Sequence, residues 1–299
     1  MQYLEPLELY KEKPYLINIP AEALPPGLAT NESYIPYPGI VIEDMRGKEN
    51  NFTLDRNGFA VFRDDRQHES VFKSSAIRER LGVNFLGSCL KYDEYDDYAV
   101  VKTKYRKASE DFLTHLLGAE TTKTFTHEVR RRQQSFPKKP RGDDGSPQPI
   151  QGVHVDFTRD WALRRMQMVY GSEFVSWAEQ RRWQVMHTWR PLKGPLFDWP
   201  LAVCDYQSVN PRSDFEAGDN IYPHLQSESF LIYYSAHHRW HYLSEMQPGE
   251  ILVFKSYDSH GSGDVAICCP HCAFDNELAP SSAAPRESVE TVSFVVYPD

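Results

Sequence analysis

Along the second half of the chain the apolar positions fall in short runs rather than at helical spacing. GVHVDFT, RWQVMHTW, LAVCDY, SFLIYYSA, EILVFKSY, DVAICCPH and SVETVSFVVY are rich in β-branched and aromatic residues and are bounded by turn residues, so each predicts a strand. One helix, Arg159–Ala178, interrupts them. About seven strands at this spacing predict a mainly β fold with flanking helices, a double-sheet jelly roll or a barrel. Gln247-Pro248-Gly249-Glu250 reads as the turn into one of its core strands.

The first half is patterned differently. Residues 14–60 are rich in Pro, Gly, Asn and Tyr and read as short strands and turns, while residues 105–117 (YRKASEDFLTHLL) have helical apolar spacing. The stretch 130–146, RRRQQSFPKKPRGDDGS, is basic and punctuated by proline and glycine, which predicts an exposed loop; an anion or acidic-partner patch is the alternative. The expected organisation is one domain over 1–299, with residues 1–129 as an elaboration, 130–146 as the loop and 150–299 as the jelly-roll core.

Composition narrows the function. With 33 basic against 42 acidic residues the formal charge is −9, which argues against a nucleic-acid partner, because that binding is driven by neutralising phosphates. A small-molecule partner suits the chain better. Aromatics at 13% exclude a disordered chain and either line a pocket for a largely apolar substrate or pack the core. The first residues, MQYLEPLELYKEKPYL, carry no apolar run, and no later stretch is long and apolar enough to span a membrane, so a cytoplasmic protein is expected and the sequons at Asn31 and Asn51 read as chance. Five cysteines, an odd count, are expected as thiols.

His154 and Asp156 are the informative pair. On a strand, i and i+2 share a face, so imidazole and carboxylate point together while Val153, Val155 and Phe157 anchor the other side. Alone the pair reads equally well as two metal ligands or as a satisfied, buried His–Asp hydrogen bond. His271, in a late strand, offers a third ligand, and two His with one carboxylate form a facial triad suited to Fe(II) chemistry with oxygen. Arg286 and Ser288 again share a strand face, and an arginine fork beside a hydroxyl is a receptor for a terminal carboxylate such as that of 2-oxoglutarate.

Residues 152–297 resemble the hydroxylase/desaturase family of fungal secondary metabolism, which includes the gibberellin desaturase and citrinin oxygenase types. The likeness lies in HVDFT, TWRPLKGPLFDWPLAVCDYQS, HRWHYLSEMQPGEILVFKSYDS, PHCAF and PRESVE. It implies a double-stranded β-helix (jelly roll, cupin-like) with Fe(II) on His154, Asp156 and His271. It also implies 2-oxoglutarate on Arg286 and Ser288, with O2 as the second cosubstrate. The implied activity is C–H oxidation of a terpenoid, meroterpenoid or polyketide by hydroxylation, desaturation, cyclisation or endoperoxide formation; a homodimer is compatible with it. His187 stands where Asn is expected, Cys272 where Thr is commoner and Asn276 where Asp is usual, so His187 and Trp189 are assigned to the substrate pocket. Arg190 either meets the iron-bound end of the cosubstrate or pairs with a buried acid such as Asp205. Cys268, Cys269, His271 and Cys272 lack the second ligand pair of a structural zinc site and are expected to pack the core. His237, His238 and His241 are read as scaffold rather than ligands. The competing functions are a cupin-like metal-binding isomerase and a non-catalytic partner protein.

Overall fold

Runs of β-branched and aromatic residues do form strands wherever both neighbours can complete the hydrogen-bond ladder. The computed structural model describes residues 1–19, 23–25, 27–63, 89–138, 146–261 and 263–299. In chain order the strands are β1 (Gln2–Leu4), β2 (Tyr15–Ile17), β3 (Tyr34–Pro36), β4 (Ile42–Asp44), β5 (Phe59–Arg63), β6 (Thr121–Arg131), β7 (His154–Val155) and β8 (Trp183–Pro191). They continue as β9 (Leu201–Cys204), β10 (Phe215–Tyr222), β11 (Leu225–Ile232), β12 (Trp240–Tyr242), β13 (Glu250–Asp258), β14 (His271–Ala273) and β15 (Glu287–Val296). One sheet runs β2-β10-β11-β7-β14-β9-β12-β4, the second β5-β13-β8-β15-β6, and β1-β3 is a separate ladder. The two larger sheets face each other across a jelly-roll core.

Trp189, Leu252 and Phe254 of the five-stranded sheet pack against Leu201 and Val203 of the other. On the outer face of the five-stranded sheet, Met186, Val253 and Val289 are covered by Phe112 and Leu113 of the helix Arg106–Leu117, as the spacing over 105–117 predicts. The expected single helix Arg159–Ala178 is two helical pieces broken at Gly171 (φ +83°); the first is capped by Thr158, whose Oγ1 accepts from the Trp161 amide at 3.2 Å, and lays Trp161, Ala162 and Met166 on Val185, Phe294 and Val296.

Two more expectations need correction. DVAICCPH is irregular until His271: Pro270 has no amide hydrogen to give, and the neighbouring backbone is tied to β13 through the Cys269 amide, which donates to the Lys255 carbonyl at 2.8 Å. The basic stretch is not all loop either. Arg130 and Arg131 close β6, paired with Ser288 and Glu287 of β15, and the buried Gln148 accepts from the Gln133 amide at 2.7 Å; residues 139–145 lie outside the described residues.

Candidate active site

β7 and β14 lie side by side with His154 directly opposite His271. The two imidazoles are oriented in the same way. Nδ1 of His154 lies 2.8 Å from the Gly152 carbonyl and Nδ1 of His271 3.1 Å from that of Cys269, so in each ring Nδ1–H donates to the backbone two residues earlier. Both Nε2 atoms are thereby turned towards Asp156, at 3.5 Å from Oδ1 for His154 and 3.3 Å from Oδ2 for His271. Val153, Val155 and Phe157 are buried behind the pair and fix which way His154 and Asp156 point.

Burial by itself would raise the pKa of Asp156; the imidazoles of His154 and His271 outweigh it and hold the carboxyl well below its usual range. His271 is pushed down by burial and then by the charge of His154, which favours the neutral, ligating form. Oδ2 of Asp156 is nevertheless a buried atom without a hydrogen-bond partner. A buried acceptor normally has one. Two imidazole nitrogens and a carboxylate oxygen aimed at one point are a donor set for a borderline divalent cation such as Fe(II), with the other ring nitrogens anchored as metal-binding histidines usually are.

β15 builds the adjoining wall. Arg286, Ser288 and Glu290 follow one another at spacing two and therefore share a face. The Arg286 guanidinium is buried over the Trp189 ring, 5.0 Å from its centroid, with Nε 3.2 Å from the Ser288 hydroxyl and Nη1 2.9 Å from the Trp199 carbonyl. Among the described residues no carboxylate forms an ion pair with it. Burial, and then the charge of Arg130, push its pKa down to about 9. An uncompensated buried cation of this kind is stabilised by an incoming anion, and the planar fork suits a carboxylate.

Trp189 and His187 also reach this region. His187 stacks on Phe254 at 4.6 Å between centroids; its Nδ1 donates to Glu290 at 2.6 Å, and its Nε2 lies 2.7 Å from the Ser256 hydroxyl and 3.7 Å from Asp156 Oδ2. Burial opposes ionisation of Glu290, but the His187 contact prevails and lowers its pKa. His187, Asp156 and Glu290 form a second cluster of metal-capable side chains that shares Asp156 with the triad, and here both ring nitrogens of His187 are engaged in hydrogen bonds. Glu290 and Ser256 escaped the sequence reading, although Glu290 continues the alternation that singled out Arg286 and Ser288.

Arg190 is elsewhere, away from the triad and the Arg286 wall. As the odd neighbour of Trp189 it faces the opposite side of β8, where its guanidinium donates to Tyr105 at 3.0 Å, to the Pro248 carbonyl at 3.0 Å and to Tyr95. Asp205 is already taken, by Arg239 at 2.8 Å and Asn57 at 3.0 Å. Cys268, Cys269 and Cys272 are buried thiols, raised in pKa by burial, and join no group of metal-binding side chains among the described residues. His238 is bonded to Asp214 at 3.0 Å, and His241 packs on Phe52.

A family model described as "Oxidoreductase/YMDC permease-like domain" matches residues 1–296. Among the described residues no helix is long and apolar enough to cross a membrane. The chain is 30% identical over 278 residues to hydroxylase/desaturase efuI of Hormonema carpetanum, covering 87% of this chain and 84% of that one. It is 27% identical over 255 residues to the Fe(II)/2-oxoglutarate-dependent dioxygenase nvfI of Aspergillus novofumigatus, covering 84% and 80%. The solved structure of the iron and alpha-ketoglutarate-dependent endoperoxidase NvfI superposes with a TM-score of 0.79 at 24% identity over 100% of this chain and 97% of that one, a likeness of fold. With the family model spanning nearly the whole sequence and efuI similar over most of its length, the chain belongs to the hydroxylase/desaturase family of Fe(II)- and 2-oxoglutarate-dependent oxygenases.

Proposed function

We propose that this protein oxidises a C–H bond of a small secondary metabolite, with iron held by His154, Asp156 and His271 and 2-oxoglutarate by Arg286 and Ser288. The observation that carries this reading is the buried, unpartnered Oδ2 of Asp156 between two imidazoles whose outer nitrogens are already committed to backbone carbonyls. Three protein donors leave coordination positions for cosubstrate and oxygen. When bound, Fe(II) with 2-oxoglutarate and O2 supplies the oxidising power, the cosubstrate leaving as succinate and CO2.

The protein's own residues bind and orient. Arg286 and Ser288 receive the distal carboxylate of the cosubstrate through charge-assisted hydrogen bonds, and Trp199 holds the guanidinium in place through its carbonyl. Trp189 supports that guanidinium from below. Phe254 and Leu201 keep the surroundings apolar, which excludes water from the reacting carbon. Which bond is oxidised, and whether the outcome is hydroxylation, desaturation, cyclisation or endoperoxide formation, follows from how the substrate is placed.

The test is anaerobic addition of Fe(II) and 2-oxoglutarate to the metal-free protein, read as the visible metal-to-ligand charge-transfer band. Wild type develops the band and His154→Ala does not; a wild type without it overturns the reading. Arg286→Leu weakens 2-oxoglutarate binding roughly 10- to 100-fold while iron binding stays within about twofold, because it removes a charged donor from a carboxylate and nothing from the metal. A cupin-like isomerase would bind the metal without 2-oxoglutarate-dependent O2 uptake.

A further inference from the structure

The pocket wall carries a second arginine besides Arg286. Arg130, near the end of the edge strand β6, lies opposite Ser288 of β15, and residues directly opposite in an antiparallel pair project to the same face. It lines the same pocket as the triad, Arg286 and Glu290. Its one hydrogen bond among the described residues runs from Nη1 to the Gln148 carbonyl at 2.7 Å, and no acid there forms an ion pair with it. A guanidinium has five N–H donors in a fixed fork, so most of this one is uncommitted. Glu128, two residues earlier on the same face, forms no ion pair with it among the described residues; burial raises the pKa of that carboxyl and the charge of Arg130 works against the rise.

Depth separates the two arginines. Arg286 is only 3% exposed and already shares the Ser288 hydroxyl, as a receptor for the inner end of a cosubstrate should. Arg130 is half-buried on the edge strand, beside Ile150, which is 43% exposed at the pocket mouth. The mouth is where the molecule that enters last is met. Resting on the oxygenase reading, we propose that Arg130 is a specificity-determining residue and that the substrate is an organic acid, whose carboxylate or equivalent anionic oxygen Arg130 receives at the pocket mouth. This modifies the expectation of a largely apolar substrate: an apolar body entering between Ile150 and Leu201 would carry one acidic group.

The experiment uses the full chain loaded anaerobically with Fe(II) and 2-oxoglutarate. The probes are monocyclic to tetracyclic carboxylic acids, each paired with its primary amide, titrated against the visible band. In wild type at least one acid perturbs the band about tenfold more tightly than its amide, the value of a charge-assisted hydrogen bond. Arg130→Gln removes that preference and leaves 2-oxoglutarate affinity within about twofold, whereas Arg130→Lys, which keeps the charge, retains part of it. Several results overturn the proposal: no probe perturbing the band, acids and amides binding alike, a preference that survives Arg130→Gln, or loss of 2-oxoglutarate affinity in Arg130→Gln as large as in Arg286→Leu. Absence of the band in wild type would remove the oxygenase reading and this one with it; a normal band without acid preference removes this one alone.

Discussion

Asp156 remains ionised in a partly buried setting because two imidazoles face it, and Arg286 remains a cation although no carboxylate among the described residues forms an ion pair with it. The two groups are the opposite ends of one polar cleft, and each has an unmet electrostatic demand that a ligand satisfies. His127, on the other face of the five-stranded sheet, shows what the fold does with a histidine that has no such role. Burial, and then the charges of Arg106 and Lys102, depress its pKa from 6.5 to about 4, and Nε of Arg106 donates to its Nδ1 at 2.8 Å. The folded protein therefore keeps His127 neutral where the unfolded chain protonates it. Above about pH 6.5 both states are neutral and His127 has no effect. As pH falls from there towards 4 the unfolded state binds the extra proton and stability declines. Denaturant melts of His127→Gln should lose part of the wild-type decline between pH 6.5 and about 4 and match its slope above that window.

Short elements carry the triad, and they were the hardest to read. Alternation put His154 and Asp156 on one face correctly, yet β7 spans only His154–Val155 and β14 only His271–Ala273. Neither has a period long enough to identify it as a strand; the ladder from β11 through β9 makes them strands. The long elements were more legible: β8, β13 and β15 are apolar runs buried along nearly their whole length, and the helix Arg106–Leu117 packs its apolar face on the sheet, whereas the stretch Arg159–Ala178, expected as one helix, is broken at Gly171 by a left-handed backbone (φ +83°). Arg130 was misread because the loop after it has a stronger local signal than the last two residues of a strand. Gly58 illustrates a contact that only the assembled elements reveal. It ends the short helix Leu54–Asn57 at φ +86°, and a Cβ there would meet the Cys268 carbonyl oxygen at 2.5 Å. The next carbonyl, of Cys269, anchors His271. Gly58→Ala should cost about 1–3 kcal/mol from the left-handed backbone alone, with the clash in addition. It should also weaken Fe(II) binding by displacing the His271 anchor, measurable as a lower thermal midpoint together with a higher Fe(II) requirement for the visible band. Normal iron affinity in a destabilised variant would separate the anchor from the fold.

At the scale of the whole molecule the amino-terminal half is built into the sheets rather than laid on them. β2 pairs with β10, β4 with β12, β5 with β13 and β6 with β15, so strands from the first 131 residues border both large sheets. Side chains bind the halves together as well. The fully buried Lys255 of β13 reaches Asp258 at 2.6 Å and Asp55 at 3.2 Å, and Arg182 reaches the same Asp258 at 2.7 Å. Removing Asp55 and its helix would leave the buried ammonium with Asp258 and the Ala266 carbonyl but without its contact to the amino-terminal half. Removing β5 and β6 would in addition expose both edges of the five-stranded sheet, with apolar inner faces behind them, a template for aggregation. If residues 1–129 were only an elaboration of the single expected domain, residues 150–299 would fold without them. The pairing predicts otherwise. A fragment of residues 150–299 should be insoluble or lack cooperative unfolding, and the full chain should melt in one transition detected alike by far-ultraviolet circular dichroism and tryptophan fluorescence. A fragment that unfolds cooperatively and still develops the Fe(II)–2-oxoglutarate band would show that the early strands are additions after all.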